Sequence, residues 1–237
     1  MQLFYAPDVL NGQYVLPPDE AHHCIHVLRH KTGDTIELID GQGNFYHATI
    51  ANAHPKNCTF TVQSVTPSLS EPAVNIHLAV APTKNIERWE WMLEKITELG
   101  ITHITPILTR RTERQHLRLD RLQKVILSAV KQSLKARLPV LNNPIPYDSF
   151  IIGQNQFTFP QQNFIGVIDN QHKHLLSAYQ KGGNALLLIG PEGDFTPEEI
   201  TLALSHHFEP VWLGRSRLRT ETAAIAGCHI VNMLNEI

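Results

Sequence analysis

Two glycine-bearing turns in the last quarter of the chain carry the residues best suited to ligand chemistry. One is the Gly-Pro-Glu-Gly run at 190–193, and the other runs from Gly214 to Glu221. Each follows a short apolar stretch and leads into a helix-like segment, and open α/β sheets bind ligands at such turns, beyond the carboxyl ends of their strands. Glycine also lets the main chain approach a ligand closely. The paired turns, with Arg219 beside the second, therefore predict one ligand site.

The common phosphate-binding loops do not match these turns. Neither turn reads GxxxxGK[ST], and the glycines at 41 and 43 are not followed by a helical pattern, so ATP and NAD are poorly supported. What the turns offer is main-chain amides and carbonyls between apolar walls formed by Ile189, Leu213 and Leu218, which suit a flat adenine. The alternative is a pair of tight strand-to-helix connections that bind nothing.

A basic stretch points to a second kind of partner. Nine lysine and arginine residues lie between Arg110 and Arg137, and only Glu113 and Asp120 oppose them, whereas the whole chain has a net charge of −2. Such a stripe can follow a phosphate backbone. It can equally be the solvated face of a helix, so RNA or another polyanion is one of two interpretations at this point.

Bulk properties set the class of protein. The chain has 237 residues, 42% hydrophobic and 18% charged, which fits one large or two modest globular domains. No apolar run is long enough to span a bilayer and the N-terminus lacks signal-peptide features, so we expect a cytoplasmic protein without a membrane partner. Three cysteines argue against a disulfide framework. His22, Cys24 and His26 lack an HExxH context, so no metal site is predicted.

The elements that must position these residues fall into two parts. Residues 34–51 alternate around a glycine-rich turn and predict a hairpin, 58–65 predict a further strand, and 18–28 a short helix, as in small RNA-binding β-barrels. Residues 66–73 are rich in turn formers and predict a linker. We place the domain boundary between residues 70 and 71.

After the linker, strands and helices alternate. Strands are predicted at 74–81, 104–108, 164–168, 186–189 and 211–213, and helices at 86–99, 119–134 and 221–234. Gly100 predicts the end of one helix, and Thr196 with Glu199 predicts a capping box at the start of another. The short, continuously apolar strands indicate an α/β domain with a mainly parallel sheet that is buried on both faces.

The residues of the two turns resemble the RsmE family of 16S ribosomal RNA methyltransferases, which modify N3 of a uridine. The matching runs are Gly190-Pro191-Glu192-Gly193 with Phe195-Thr196-x-Glu198-Glu199, and Leu213-Gly214-x-x-x-Leu218-Arg219-x-Glu221-Thr222-Ala223. Residues 91–100 are similar to the first helix of the family's catalytic domain, Gln132-Ser133 matches another family position, and His26-Val27-Leu28-Arg29 with Gly33-Asp34 resembles its N-terminal domain. The resemblance covers nearly the whole chain.

The resemblance implies a two-domain architecture. Residues 1–70 would form a PUA-like β-barrel that binds RNA, and residues 71–237 an α/β methyltransferase domain of the SPOUT class with a trefoil knot. It further implies S-adenosylmethionine as cofactor, a homodimer, and 16S ribosomal RNA or the small ribosomal subunit as partner. The implied cofactor-binding residues are Leu188, Ile189, Gly190, Gly193, Leu213, Gly214, Leu218, Thr220, Thr222 and Ala223.

Catalytic roles follow from the chemistry of uracil as hypotheses. N3 is a poor nucleophile until it loses its proton, so the site must align it and stabilise the resulting anion. We expect Arg219 to stabilise that charge, and Glu221 or Glu192 to accept the proton. Glu221 has an equal alternative as a carboxylate that favours a helix N-terminus. The RNA backbone would contact Arg29, Arg110, Arg111, Arg114, Lys131, Lys135 and Arg137.

Two residues depart from the family pattern, and two other functions remain open. Asp194 replaces a usual glycine in the first turn, and Lys131 replaces a usual glutamate before the Gln-Ser pair. A methyltransferase of the same class could act on tRNA instead, and the same fold could serve as a non-catalytic RNA-binding module. The resemblance favours the ribosomal substrate.

Overall fold

The computed structural model describes residues 2–11, 14–68, 72–153, 161–168 and 171–237. Contacts divide the chain into two units, one of residues 1–71 with 127–138 and one of residues 72–126 with 139–237. Part of the predicted linker, residues 69–71, lies outside the described residues, and so does the predicted boundary. The described part before it, up to Pro67, belongs to a strand.

The first unit is β-rich, as predicted. Its elements are β1 (Leu3–Tyr5), a 3-10 helix (Pro7–Asn11), α1 (Pro18–His22), a π-helical turn (His23–Val27), β2 (Thr35–Ile39), β3 (Asn44–Asn52) and β4 (Thr59–Pro67). The strands form one sheet in the order β1-β2-β3-β4, in which only β1 and β2 are parallel. Among the described residues no pairing joins β4 back to β1, so closure of this sheet into a barrel stays a prediction.

The core of the first unit lies between this sheet and the short helices. Phe4, Leu38, Ile50 and Phe60 are buried in it with the thiol-bearing Cys24. The predicted hairpin is therefore confirmed, and its alternating pattern arises because one face of β2 and β3 covers this core.

The second unit alternates strands and helices. Its elements are β5 (Ile76–Val80), α2 (Ile86–Leu99), β6 (His103–Leu108), α3 (Leu119–Gln132), β7 (Val140–Leu141), β8 (Ile145–Pro146), α4 (Tyr147–Ile152), β9 (Gln161–Gly166), β10 (Lys173–His174), α5 (Leu175–Ala178), β11 (Asn184–Ile189), α6 (Pro197–Ser205), β12 (Glu209–Trp212) and α7 (Thr220–Glu236). The last residues of α3 belong to the first unit.

These strands form one parallel sheet. Its order is β10-β12-β9-β11-β5-β6-β7, with β8 paired to β6, and every described pairing is parallel. The predicted α/β class with a mainly parallel sheet is confirmed. The order differs from the order along the chain, which sequence periodicity does not reveal.

Helices cover both faces of the sheet, which explains why its central strands are apolar throughout. Leu186 and Leu188 of β11 pack with residues of α4 and α6, whereas Leu187, on the other face, lies against α7. A Cβ on Gly227 of α7 would lie 3.2 Å from the Leu187 Cδ1 atom, so this helix approaches the sheet closely. The ends of the strands, which the helices leave uncovered, are therefore the places where a ligand can bind.

The predicted helix ends are confirmed. Gly100 ends α2 with a φ of 91°, and the Asn85 side chain caps the start of that helix by accepting a hydrogen bond from the Glu87 amide. Thr196 and Glu199 form the capping box of α6. These ends are predictable because they depend on residues close in sequence.

Three properties of the described residues concern membrane spans, metal ligands and cysteines. No helix in the described ranges has the length and apolar character needed to cross a membrane. Those ranges also contain no cluster of three or more metal-ligating side chains. Cys24, Cys58 and Cys228 are buried as free thiols.

One buried histidine makes the stability of the second unit depend on pH. His77 of β5 is completely buried, its Nε2 atom lies 2.7 Å from the Thr105 hydroxyl, and the His103 ring is 5.7 Å away. Burial, with a smaller effect of His103, lowers the pKa of His77 to about 3. The folded protein therefore keeps this imidazole neutral under conditions that protonate it in the unfolded chain.

We predict that His77→Gln flattens the acid dependence of stability. Above pH 6.5 the imidazole is neutral in both the folded and the unfolded state. Between pH 6.5 and about 3 only the unfolded state binds the proton, so the free energy of unfolding decreases as the pH is lowered. At pH 5 the loss should be about 2 kcal/mol relative to neutral pH. Urea unfolding at neutral pH and at pH 5 measures it, with the exposed His229→Gln as control. An acid loss as large in His77→Gln as in the wild type would contradict this origin.

Candidate functional site

Three loops meet at one edge of the parallel sheet. Because β12, β9 and β11 are neighbours in that order, the segments that follow them lie side by side. These segments, 166–168 at the end of β9, 189–192 with Asp194 at the end of β11 and 212–219 at the end of β12, line a cleft of about 1030 Å³. The two glycine turns are thus brought together, as the sequence predicted, and a third loop lies with them.

Most of the predicted cofactor-binding residues line this cleft. Ile189 and Gly190 come from the first turn, Leu213, Gly214 and Leu218 from the second, and Thr220 and Ala223 from the start of α7. The arrangement gives main-chain groups flanked by apolar side chains, which is the surface that a flat aromatic ligand needs.

Three other predicted cofactor-binding residues lie outside the cleft lining. Leu188 is fully buried in the core on one face of the sheet. Gly193 is exposed, and its carbonyl accepts a hydrogen bond of 2.6 Å from the Arg111 guanidinium. Thr222 is exposed in the first turns of α7. A direct contact with a ligand is therefore better supported for the other members of the set.

Close approach explains Gly190, whereas backbone conformation explains Gly214. A Cβ on Gly190 would lie 3.2 Å from the Phe195 ring, and the Gly190 carbonyl accepts a hydrogen bond from the Thr220 hydroxyl at 2.9 Å. This bond ties the first turn to the start of α7. Gly214 has a φ of 156° and nothing within 4 Å of the position that a Cβ would take, so its side faces open space.

The sequence did not identify several residues of the cleft. Residues 166–168 were not assigned to it because the run at 164–168 predicted a strand, whereas the strand ends at Gly166. In addition, the neighbours of β9 in the sheet are distant along the chain. Arg88 reaches the cleft from α2, and Arg215 and Arg217 from the second turn. Arg215 and Arg217 could have been predicted as cleft residues, since they alternate with Arg219 in the sequence. Nothing in the sequence around Arg88 indicates that it reaches the cleft.

The three candidate catalytic residues occupy different environments. Arg219 is exposed, lines the cleft and precedes the first residue of α7. Glu192 also lines the cleft and is exposed, and its Oε1 atom accepts a hydrogen bond of 3.0 Å from the Lys84 amide. Glu221 is buried, and the described lining includes its neighbour Thr220 but not Glu221 itself.

The first basic residues of the stripe hold loops together. The Arg110 amide donates to a Glu199 carboxylate oxygen at 2.8 Å, and the Arg111 guanidinium donates to the Gly193 carbonyl. The Arg114 guanidinium donates two hydrogen bonds, of 3.1 and 2.8 Å, to the Lys84 carbonyl. The Arg111 and Arg114 side chains therefore have a structural role beside the first turn, whereas Arg110 contributes only its main-chain amide to these bonds.

The other predicted RNA contacts belong to the first unit. Arg29 is exposed with a φ of 61°, in the left-handed region. Lys131 is mostly buried, and its Nζ atom donates to both carboxylate oxygens of Glu20 at 2.7 and 2.9 Å. Lys135 is half-buried and Arg137 is exposed. Arg29 is the more accessible cation, since the charge of Lys131 is already neutralised by its partner.

Comparison with known proteins decides the family. Residues 70–232 match a family model described as an RNA methyltransferase domain, and residues 16–63 match one described as an RNA methyltransferase PUA domain. The chain belongs to this RNA methyltransferase family. The prediction of a methyltransferase with an N-terminal PUA-like domain is confirmed.

Individual relatives of this family agree over the full length. A ribosomal RNA small subunit methyltransferase E from Synechocystis is 29% identical, with 99% of this chain and 78% of that protein covered. The crystal structure of a probable rRNA-methyltransferase from Porphyromonas gingivalis is 39% identical, covers 100% of this chain and 99% of that one, and has a TM-score of 0.91. A ribosomal RNA small subunit methyltransferase E from Neisseria gonorrhoeae, bound to S-adenosyl methionine, is 27% identical over 99% and 98%, with a TM-score of 0.87. The predicted resemblance to the RsmE family is thereby confirmed.

The structure explains one departure of this methyltransferase from the expected pattern. Asp194, which stands in place of a glycine, has a φ of 63°, and its carboxylate accepts a hydrogen bond of 2.8 Å from the Phe195 amide. Glycine adopts this conformation without strain, and aspartate is among the residues that tolerate it. Aspartate is therefore compatible with the left-handed conformation that this turn has here.

We predict that Asp194→Gly leaves stability within about 1 kcal/mol of the wild type, because relief of backbone strain offsets the lost hydrogen bond. Asp194→Val should cost about 1–3 kcal/mol more, because a β-branched residue is strained at positive φ. The free energy of unfolding in urea measures both, and Asp194→Asn, which keeps an acceptor and tolerates the conformation, is the control. Equal stability of the valine and glycine variants would show that the turn does not hold this φ.

Proposed function

We propose that this chain is an S-adenosylmethionine-dependent methyltransferase that acts on 16S ribosomal RNA of the small subunit, at N3 of a uridine. The observation that carries the proposal is the cleft at the ends of β9, β11 and β12, in a chain matched to an RNA methyltransferase domain over residues 70–232. The relatives named above as small-subunit methyltransferases support the substrate.

The cleft fits S-adenosylmethionine. Its volume of about 1030 Å³ is at the upper end of ordinary small-molecule sites, which leaves room for a base beside the cofactor. The main chain at Gly190 and Gly214 and the side chains of Ile189, Leu213 and Leu218 would hold the adenine and ribose. When bound, the cofactor supplies a methyl group attached to a positively charged sulfur.

Arg219 is the residue we assign to charge stabilisation. A uracil that has lost its N3 proton shares the negative charge of N3 with its two carbonyl oxygens, and a fixed cation beside them lowers the barrier. The guanidinium of Arg219 is exposed on the cleft, and its backbone immediately precedes α7, whose amino-terminal end adds a positive potential.

Glu192 is better placed than Glu221 to accept the N3 proton. It lines the cleft, and the described contacts leave its Oε2 atom without a hydrogen bond while the Lys84 amide holds Oε1. A fixed carboxylate with one accessible oxygen can take a proton directly or through water. Glu221 is buried and is not among the described residues that line the cleft.

Several finer features are part of the same proposal. The methyltransferase domain would comprise residues 71–237 and carry the SPOUT trefoil knot; the non-sequential order β12-β9-β11 is consistent with such a path. The enzyme would be a cytoplasmic homodimer. The support for dimerisation is that α2 and α7, which pack on each other, expose Trp91 and Met233.

Residues 1–70 would form the PUA-like domain that holds the RNA backbone. Arg29 is its most accessible predicted contact, and Lys135 and Arg137 would extend the same basic surface within the first unit. Lys131 contributes less, because its charge is compensated by Glu20.

The reaction itself can be tested directly. Ribosomal RNA from cells that lack this protein should lose one N3-methyluridine, as mapped by mass spectrometry of nuclease fragments. Purified protein with labelled S-adenosylmethionine should restore it on small subunits or naked 16S RNA from those cells. If the cells that lack this protein kept the N3-methyluridine of their ribosomal RNA but lost a methyl group from a tRNA, the tRNA alternative would be correct.

We predict that Arg219→Ala lowers kcat by about 10²–10³-fold, as expected for the loss of one group that stabilises developing charge. Binding of S-adenosylmethionine, measured by calorimetry, should change less than about 3-fold because the main-chain walls remain. Lys173→Ala, at an exposed cation on β10, serves as control. Normal turnover by Arg219→Ala would remove this residue from the mechanism.

The RNA contacts of the first unit give a matched pair of variants. Arg29→Asn keeps a residue that tolerates positive φ but removes one charge, so RNA affinity should fall and the salt dependence of binding should decrease by about one counterion. Lys131→Gln should leave RNA affinity nearly unchanged but cost about 1–3 kcal/mol of stability, because Glu20 loses its partner. Filter binding at several salt concentrations and thermal unfolding separate the two effects. The reverse pattern would place Lys131, and not Arg29, on the RNA.

A further inference from the structure

Arg88 is a cation of the cleft to which sequence reasoning assigns no role. It is the third residue of α2, and it lines the cleft although the rest of the lining comes from the three loops and the start of α7. Its side chain is 43% exposed, and its Nη1 atom lies 3.8 Å from the Oε1 atom of Glu221. An arginine from a separate helix is therefore held at the cleft by a carboxylate from α7.

Glu221 is the buried partner in this pair. Its side chain is only 8% exposed, and among the described residues its Oε2 atom has no hydrogen-bond partner. A buried carboxylate is costly unless a charge or dipole compensates it. The amino-terminal end of α7 and the guanidinium of Arg88 supply that compensation, so the charge of Glu221 serves to fix Arg88.

The pair leaves the hydrogen-bonding capacity of Arg88 available. A separation of 3.8 Å is an ion pair but too long for a hydrogen bond, and the described contacts include no hydrogen bond from this guanidinium. Arginine presents five donors in a planar fork that matches a phosphate or a carboxylate. The geometry is that of an oriented anion-binding group.

Charge decides which anion this group suits. In the described part of the chain, four arginines line the cleft, Arg88, Arg215, Arg217 and Arg219, against the carboxylates of Glu192 and Asp194. S-adenosylmethionine carries a sulfonium, an ammonium and one carboxylate, so it is a cation overall, and its single carboxylate cannot pair with four arginines. A polyanion gains from every one of these arginines.

We propose that Arg88 binds a backbone phosphate of the RNA next to the target base, and that Glu221 is the positioning residue for Arg88 and not the catalytic base. This proposal rests on the proposed function, since it names the substrate contact of the same cleft. It assigns the two carboxylates different tasks, with Glu192 open to the cleft and Glu221 committed to the arginine.

Four variants test the pair: Arg88→Gln, Arg88→Lys, Glu221→Gln and the double variant Arg88→Gln/Glu221→Gln. We expect KM for the RNA to rise about 10-fold in Arg88→Gln and the salt dependence of RNA binding to fall by about one counterion, as for the loss of one phosphate contact. Glu221→Gln should raise the same KM, while its turnover stays within about 3-fold of the wild type and the pH profile of turnover is unchanged. Because the two residues act as one unit, the double variant should be no worse than Arg88→Gln alone.

Stability is measured alongside. Arg88→Gln leaves a buried carboxylate without its cation, so this variant should unfold at a lower temperature, whereas the double variant removes both charges and should regain stability. Arg88→Lys keeps the charge without the fork and should recover part of the KM effect. Lys173→Gln, at an exposed ion pair on β10, should match the wild type in every assay.

Two results would overturn the proposal. If turnover by Glu221→Gln at saturating RNA fell by about two orders of magnitude while KM stayed unchanged, Glu221 would be the base. The second result concerns two ligands, S-adenosylhomocysteine and 5′-methylthioadenosine, of which the latter lacks the amino-acid end. If Arg88→Gln bound only S-adenosylhomocysteine more weakly and its KM for RNA were unchanged, Arg88 would be assigned to the cofactor carboxylate. Failure of the proposed function is a separate outcome, since the wild type itself would then transfer no methyl group to the RNA.

Discussion

The lateral order of the parallel strands is the constraint on which the site depends. Because β12, β9 and β11 lie side by side, three segments that are distant in the chain end at the same edge of the sheet. Helices cover both faces of that sheet, so the edge is where a ligand can reach the main chain. The glycine at 190 then matters because its carbonyl must meet the Thr220 hydroxyl while the Phe195 ring packs beside it.

The site is stiffened by contacts that lie away from its walls. The loop after β6 holds the first turn through the bond from Arg111 to the Gly193 carbonyl, and the Glu199 carboxylate joins the capping box of α6 to the Arg110 amide. Basic residues in this stretch therefore cannot be assigned to RNA from charge alone. The arginines with exposed guanidinium groups at the cleft are the stronger candidates, because their donors are not all used within the fold.

Features that depend on residues close in sequence were largely predicted, whereas features that depend on residues distant in the chain were not. Most strands, the capping box at Thr196 and the end of α2 at Gly100 depend on neighbouring residues, so periodicity and end signals sufficed. The short strands β1, β7, β8 and β10 were not predicted. The two glycine turns were also predictable as partners. The loop after β9 and Arg88 were missed, because their place in the cleft depends on strand order and on the approach of α2. Lys131 was predicted as an RNA contact, and its pairing with Glu20 could not be foreseen across more than a hundred residues.

A cationic cofactor and a polyanionic substrate place opposite demands on one cleft, and the residues divide accordingly. The part suited to adenine is built from main chain and apolar side chains, so it adds no charge that would repel a sulfonium. The positive charge of the cleft comes from the arginine side chains on the second turn and on α2. The two glutamates also differ: Glu192 is exposed and lines the cleft, whereas Glu221 is buried beside the Arg88 guanidinium. Identical side chains thus acquire different chemistry from their burial and partners, which their sequence positions alone do not determine.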